Sequence, residues 1–168
     1  MKLPSRITAT SAALVVALSG LTIAQAQAQA EVNGPLTTST YEAERAGLEN
    51  GAQVNNNHRG YTGTGFVDNY VQIGTKTKFT VTVPTAGAYK STLRYSAGPH
   101  ASATRSLSIY INGVRERSTS LPQTASWDTW TTKTDVLQLV AGTNTIAYRY
   151  DVFDVGWINL DNLTIAKA

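Results

Sequence analysis

Apolar side chains in this chain recur at every second position, over short runs separated by turn residues. No window holds the i, i+3, i+4, i+7 spacing of an amphipathic helix. In Lys78–Val83, Phe79, Val81 and Val83 fall on one face; Tyr89, Ser91, Leu93 and Tyr95 share the next. Leu107, Ile109 and Ile111 alternate with Ser108, Tyr110 and Asn112, and the run ends at Asn112-Gly113, a strong two-residue hairpin signal. Val136–Val140 ends at Ala141-Gly142, Thr143–Tyr150 is another β-rich run, and Trp157–Ala166 closes the chain. Eight or nine short strands at regular spacing predict an all-β, antiparallel sandwich of jelly-roll or immunoglobulin-like type. The 168 residues contain no cysteine, so a disulfide-stapled fold, a thiol nucleophile and a thiolate metal site are all excluded.

The first thirty residues stand apart. Lys2 and Arg6 precede an apolar stretch from Ala9 to Ala24, and Ala24–Ala30 carries overlapping Ala-x-Ala signals. This three-part layout reads as a secretory signal peptide, cut after Ala28 or Ala30. The apolar run falls short of the roughly 20 residues of a membrane span. Residues 31–39 read as a short lead-in, and 40–168 as one extracellular module. Setting aside Lys2 and Arg6 leaves 12 basic against 11 acidic side chains. That balance provides no electrostatic footprint for nucleic acid or an anionic membrane.

Glu42 and Glu44, in Tyr41-Glu42-Ala43-Glu44, are two residues apart. On a strand their carboxylates would point the same way, about 7 Å apart. Like charges so placed call for a cation between them or for full solvation. Three readings stand open: ligands for a hard cation such as Ca²⁺, with Asp161 of Asn159-Leu160-Asp161 completing the site; a solvated edge; or a hydrolytic pair. Trp127, in the polar turn Ser126-Trp127-Asp128, is hard to bury, and its flat face suits the C–H face of a sugar ring, whereas Trp130 reads as core. The glycine-rich stretch Gly60–Asp68 lacks Gly-Lys-Ser/Thr and a following helix, so it is no phosphate loop. It reads as a tightly bent backbone presenting Tyr61 or Phe66 beside a ligand. His58 and His100 read as ordinary loop residues, and Asp151 and Asp154 as shaping the loop before the last strand.

Taken in order, Tyr41–Glu44, Gly60–Asp68, Phe79–Val81 with Ala86–Tyr89, Leu93–Tyr95, Ile111–Gly113, Trp127–Trp130, Ala141–Ile146 and Asn159–Asp161 resemble the carbohydrate-binding modules of families 35 and 6. The resemblance covers residues 41–166. It implies a β-jelly-roll with a structural Ca²⁺ held by Glu42, Glu44 and Asp161, helped by carbonyl oxygens near Arg59-Gly60. It also implies a sugar site in loops at one end, falling on Trp127, Phe66 and Asn159. Phe66 stands where a Tyr is more usual, so one hydroxyl is lost; Tyr61 is the candidate to replace it, and Asp68 a further hydrogen-bonding group.

The function so implied is non-catalytic binding of an oligo- or polysaccharide, with affinity on the order of 10–1000 μM because each polar contact competes with water. The module is expected to act without a catalytic domain of its own, alone or beside separate glycan-degrading enzymes. The rivals are a small glycosidase or lyase using Glu42 and Glu44, and a surface scaffold that binds no glycan.

Overall fold

The computed structural model describes residues 38–99 and 104–168; the signal-peptide reading and His100 lie outside the described residues. Eleven strands follow in chain order: β1 (Ser39–Glu42), β2 (Gly47–Glu49), β3 (Gln53–Asn55), β4 (Phe66–Asp68), β5 (Lys76–Val83), β6 (Gly87–Ser96), β7 (Arg105–Ile111), β8 (Val114–Leu121), β9 (Thr131–Leu139), β10 (Gly142–Arg149) and β11 (Asn159–Lys167). A 3-10 turn, Ala43–Arg45, joins β1 to β2.

All pairings are antiparallel. One sheet runs β3-β4-β11-β6-β9, with β1 also on β11; the other runs β2-β5-β10-β7-β8. From β4 to β7, and again from β8 to β11, the chain changes sheet at each step, which wraps it into a jelly-roll sandwich. The period-2 faces meet between the sheets. Phe79 and Val81 of β5, Leu93 and Tyr95 of β6, Leu107 and Ile109 of β7, Ile146 and Tyr148 of β10, and Leu160 and Leu163 of β11 are buried together. The rings of Phe79 and Tyr148 meet edge to face, 6.2 Å between centroids. Asn112 and Gly113 have φ of 51° and 84°, the left-handed pair that a two-residue hairpin between β7 and β8 requires. Where β8 and β9 edge the two sheets, side chains close the gap: Thr119 Oγ1 donates to Asp135 Oδ2 at 2.7 Å, and Arg117 reaches the carbonyl of Val136.

Three local expectations are corrected. The strand that opens at Ser39 stops at Glu42, so Glu44 lies on the 3-10 turn rather than beside Glu42 on one strand face. Trp157 precedes β11 and adopts φ of 63°, a left-handed backbone that no strand allows. Trp130 is not core: its half-buried indole sits at the sandwich end, with the guanidinium of Arg94 5.3 Å from its centroid.

One irregularity shapes the site. Leu160 pairs with Tyr95 and Asn162 with Arg94, leaving Asp161 as the extra residue of a β-bulge. A bulge bends the strand and re-aims a side chain. On its other flank β11 changes partner here, from β4 (Leu160 opposite Val67) to β1 (Asn162 opposite Glu42). Asp161 therefore lies at the junction of three strands.

Candidate functional site

The bulge and the 3-10 turn bring three carboxylates onto one short loop, Thr62-Gly63-Thr64. Asp161 is fully buried. It accepts the Thr62 N–H at 2.8 Å and the Thr62 hydroxyl at 3.2 Å, and it pairs with Arg94. The same hydroxyl donates to Glu42 Oε2 at 2.8 Å. Glu44 Oε1 accepts the Thr64 N–H at 2.9 Å. Gly63, with φ of 66°, makes the close approach possible: a Cβ there would overlap Glu44 Oε1 and lie 3.1 and 3.2 Å from the carboxyl carbons of Glu44 and Glu42. Both carboxyl groups thus crowd one point. Glu44 Oε2 is buried with no hydrogen-bond partner. Three carboxylates against one guanidinium leave two negative charges, and the lone pairs gathered there belong to carboxylate and hydroxyl oxygens. Oxygens of this kind could serve as ligands for a hard divalent cation. Among the described residues no three His, Asp or Glu side chains are placed to hold an ion unaided, so hydroxyl, carbonyl or water oxygens would have to contribute. The carbonyls of Arg59 and Gly60 already accept Trp130 Nε1–H and an Arg94 N–H, both at 2.8 Å.

At the end of the sandwich lies a cleft of about 400 Å³. Trp127, Trp157, His58, Asp68, Asn69 and Asn159 line it. Trp127 is half-buried and lies directly over Gly98, where any Cβ would collide with the indole. The His58 ring stacks beside it, 6.1 Å between centroids and 27° between planes. His58 Nδ1 is in turn 3.1 Å from Asp128 Oδ1, which also accepts the Arg59 N–H at 3.0 Å. The Arg59 N–H, and then the imidazole, hold the exposed Asp128 carboxyl below the usual carboxylate range. Trp157 is 59% exposed. Its N–H donates to the Tyr70 carbonyl at 2.9 Å, and the preceding Gly156 lies so close to that carbonyl that no Cβ could fit. A large ring in a left-handed backbone, pinned from behind and presented to a cleft, is strain of the kind that gathers at binding sites.

Residues 39–168 match the family model for carbohydrate binding module family 35. The chain belongs to that family. A 1,6-α-glucosyltransferase of Sporosarcina globispora is 46% identical over 140 residues, which is 79% of this chain and 11% of that enzyme. A cycloisomaltooligosaccharide glucanotransferase of Niallia circulans is 38% identical over 128 residues, 74% of this chain and 13% of the enzyme. Family 35 modules are thus small parts of these relatives, of which the chain spans only 11–13%. Among solved structures, a family 35 module from Clostridium thermocellum superposes with a TM-score of 0.71 at 28% identity, covering 79% of this chain and 99% of its own. A Paenibacillus cycloisomaltooligosaccharide glucanotransferase complexed with cycloisomaltoheptaose gives 0.71 at 37% identity, covering 77% of this chain and 18% of its own.

In this family 35 module, three residues anticipated for sugar contact, Trp127, Asp68 and Asn159, meet in the cleft. Phe66 does not. It is 0% exposed, enclosed by the rings of His58, Tyr61 and Trp130, and offers no face to a ligand. Its inward turn follows from its place at the start of β4, under the loop that binds the three carboxylates. Tyr61 packs on Phe66 at 5.7 Å and is not part of the cleft lining. The glycine-rich loop bends to wrap carboxylates, not to present Tyr61 or Phe66. His58 and Trp157 belong to the site and were not anticipated there.

Asp68 carries a testable cost. Partial burial raises its carboxyl above the usual value, only in part offset by the amide of Asn55, which donates at 3.1 Å. A raised carboxyl means the folded state binds its proton more tightly. Stability is then greatest below the unfolded-state value and falls as pH rises through the folded one. Asp68→Asn should therefore raise the melting temperature slightly at pH 7 and leave it unchanged at pH 3, as read by calorimetry at both pH values.

Proposed function

We propose that this module is a secreted, non-catalytic binder of α-1,6-linked gluco-oligosaccharides, with the sugar in the Trp127–Trp157 cleft and a structural Ca²⁺ at Glu42, Glu44 and Asp161. The observation that carries the first part is the lining of the cleft: two indoles beside amide and carboxylate groups on a rigid sandwich end. Indoles bury the C–H faces of a pyranose, while Asn69, Asn159 and Asp68 offer directional bonds to its hydroxyls. The linkage is drawn from four relatives at 38–46% identity, named for 1,6-α-glucosyl, isomaltosyl or cycloisomaltooligosaccharide transfer; a fifth, at 39%, is named an exo-β-D-glucosaminidase.

Non-catalytic action is supported by the carboxylates. Among the described residues Asp68 is the one carboxylate in the cleft lining, whereas glycoside hydrolysis by the usual route needs a pair flanking the bond. Glu42 and Glu44 face the same loop and lend themselves to cation binding. The Ca²⁺ reading is supported by the unpartnered Glu44 Oε2 and the residual double negative charge. Bound there, the ion would tie the first strand and the 3-10 turn to the last strand.

Isothermal titration of the mature chain with isomalto-oligosaccharides should give saturable binding with a dissociation constant on the order of 10–1000 μM, far weaker binding of cello-oligosaccharides, and no release of reducing ends. Absence of saturable binding, or hydrolysis abolished by Glu42→Gln in a folded protein, would overturn this reading.

A further inference from the structure

The segment between β10 and β11 is built inside out. Its acidic residues turn inward. Asp154 Oδ1 accepts Ser106 Oγ at 3.1 Å and Ser118 Oγ at 2.7 Å, while its Oδ2 accepts the Asp151 N–H at 3.1 Å. Asp151 accepts the Tyr110 hydroxyl at 2.7 Å and pairs with Arg149 at 3.0 Å. Val155 exchanges two further bonds with Ser106. Between these anchors the apolar residues point out: Val152 is 65% and Phe153 93% exposed. The neighbouring loop, bonded to this one through Gly74 to Tyr150 and Tyr150 to Thr75, also displays Val71 and Ile73. Single exposed apolar residues need no explanation, but a group of them on two mutually bonded, well-anchored loops does.

The group is continuous with the cleft, since Val71 and Trp157 belong to both. Phe153 is four residues from Trp157 and so within about 14 Å of it along the chain. Arg149 and Arg115 are engaged by Asp151, and Arg105, next to the Ser106 that bonds this segment, is buried, so none of the three is presented to an anionic membrane. We propose that Phe153 is an outlying sugar-stacking platform, so that a glucan chain leaving the cleft past Trp157 continues over the 150–157 loop. The inference rests on the cleft reading and adds a preference for chain length: short ligands fill the cleft, and longer ones also engage Phe153.

The test compares isomaltotriose with a long isomalto-oligosaccharide, by titration against the wild type, Phe153→Ala and Phe153→Trp. The wild type should bind the longer ligand about tenfold more tightly. Phe153→Ala should lose that gain while keeping its isomaltotriose affinity and melting temperature, and Phe153→Trp should keep the gain. A gain that survives Phe153→Ala, or equal losses for both ligands, overturns the proposal with the cleft reading intact. A wild type that binds neither ligand overturns both. Self-association of the wild type that Phe153→Ala abolishes, with unchanged length preference, assigns the patch to a second copy instead.

Discussion

Trp127→Ala should weaken isomalto-oligosaccharide binding by roughly 30-fold or more, about 2 kcal/mol on the scale of a buried aromatic anchor. The ring is held before any ligand arrives. Gly98 lies beneath it, His58 stacks beside it, and the backbone turn from Ser126 to Thr129 fixes its Cα. Little rotamer freedom is left to lose on binding, so most of the stacking energy is realised as affinity. The main-chain role of the residue survives substitution, because Ser96 Oγ donates to its carbonyl at 3.0 Å whatever the side chain. A cooperative melt and unchanged far-ultraviolet dichroism should therefore accompany the loss. Trp127→Phe should recover part of the affinity. Binding by Trp127→Ala within twofold of the wild type would remove the indole from the site.

The long strands were legible because burial on one face writes a period of two into the residues, and β5, β6, β7 and β10 show it plainly. The bulge at Asp161 went unread, although the residues carry a trace of it. Leu160 and Leu163 are three apart, an odd spacing that only an inserted residue reconciles with a shared core face. The strand β8 was not legible: at a sheet edge its buried side chains are only Thr119 and Leu121, so Val114–Leu121 reads as polar chain. The 3-10 turn at Ala43–Arg45 was missed because Glu44 continues the alternation of β1 while its backbone does not.

The site was legible where chemistry alone decides and illegible where backbone geometry does. Trp127 in a polar turn and Asp161 after Asn159-Leu160 announce themselves by residue type. Phe66 misled because an aromatic after a glycine loop is equally suited to seal a loop from below. His58 earns its place only through its contacts with Trp127 and Asp128, seventy residues away in the latter case. Trp157 depends on a left-handed φ and on the contact of Gly156 with the Tyr70 carbonyl, neither of which a residue pattern encodes.

Two substitutions at the carboxylate cluster should separate the fold from the ion. Asp161→Ala removes a fully buried charge that answers Arg94, the Thr62 N–H and Asn162. It should cost about 3 kcal/mol or more, on the order of 10 °C in melting temperature, with or without Ca²⁺. Glu44→Gln differs in sign between conditions. With a chelator present, the wild type holds Glu44 Oε2 buried without a partner and close to the Glu42 carboxyl, so neutralising the side chain should leave stability unchanged or raise it. With Ca²⁺ present, the wild type should gain about 2.7 kcal/mol at a hundredfold excess over the dissociation constant, and Glu44→Gln should lose most of that gain. The melting temperature of Glu44→Gln should therefore equal or exceed that of the wild type in chelator and fall below it in Ca²⁺. A wild type whose melting temperature ignores both additions would leave the carboxylates as a hydrogen-bonded clasp between the strand-one segment and β11, held by Thr62 and Arg94 alone.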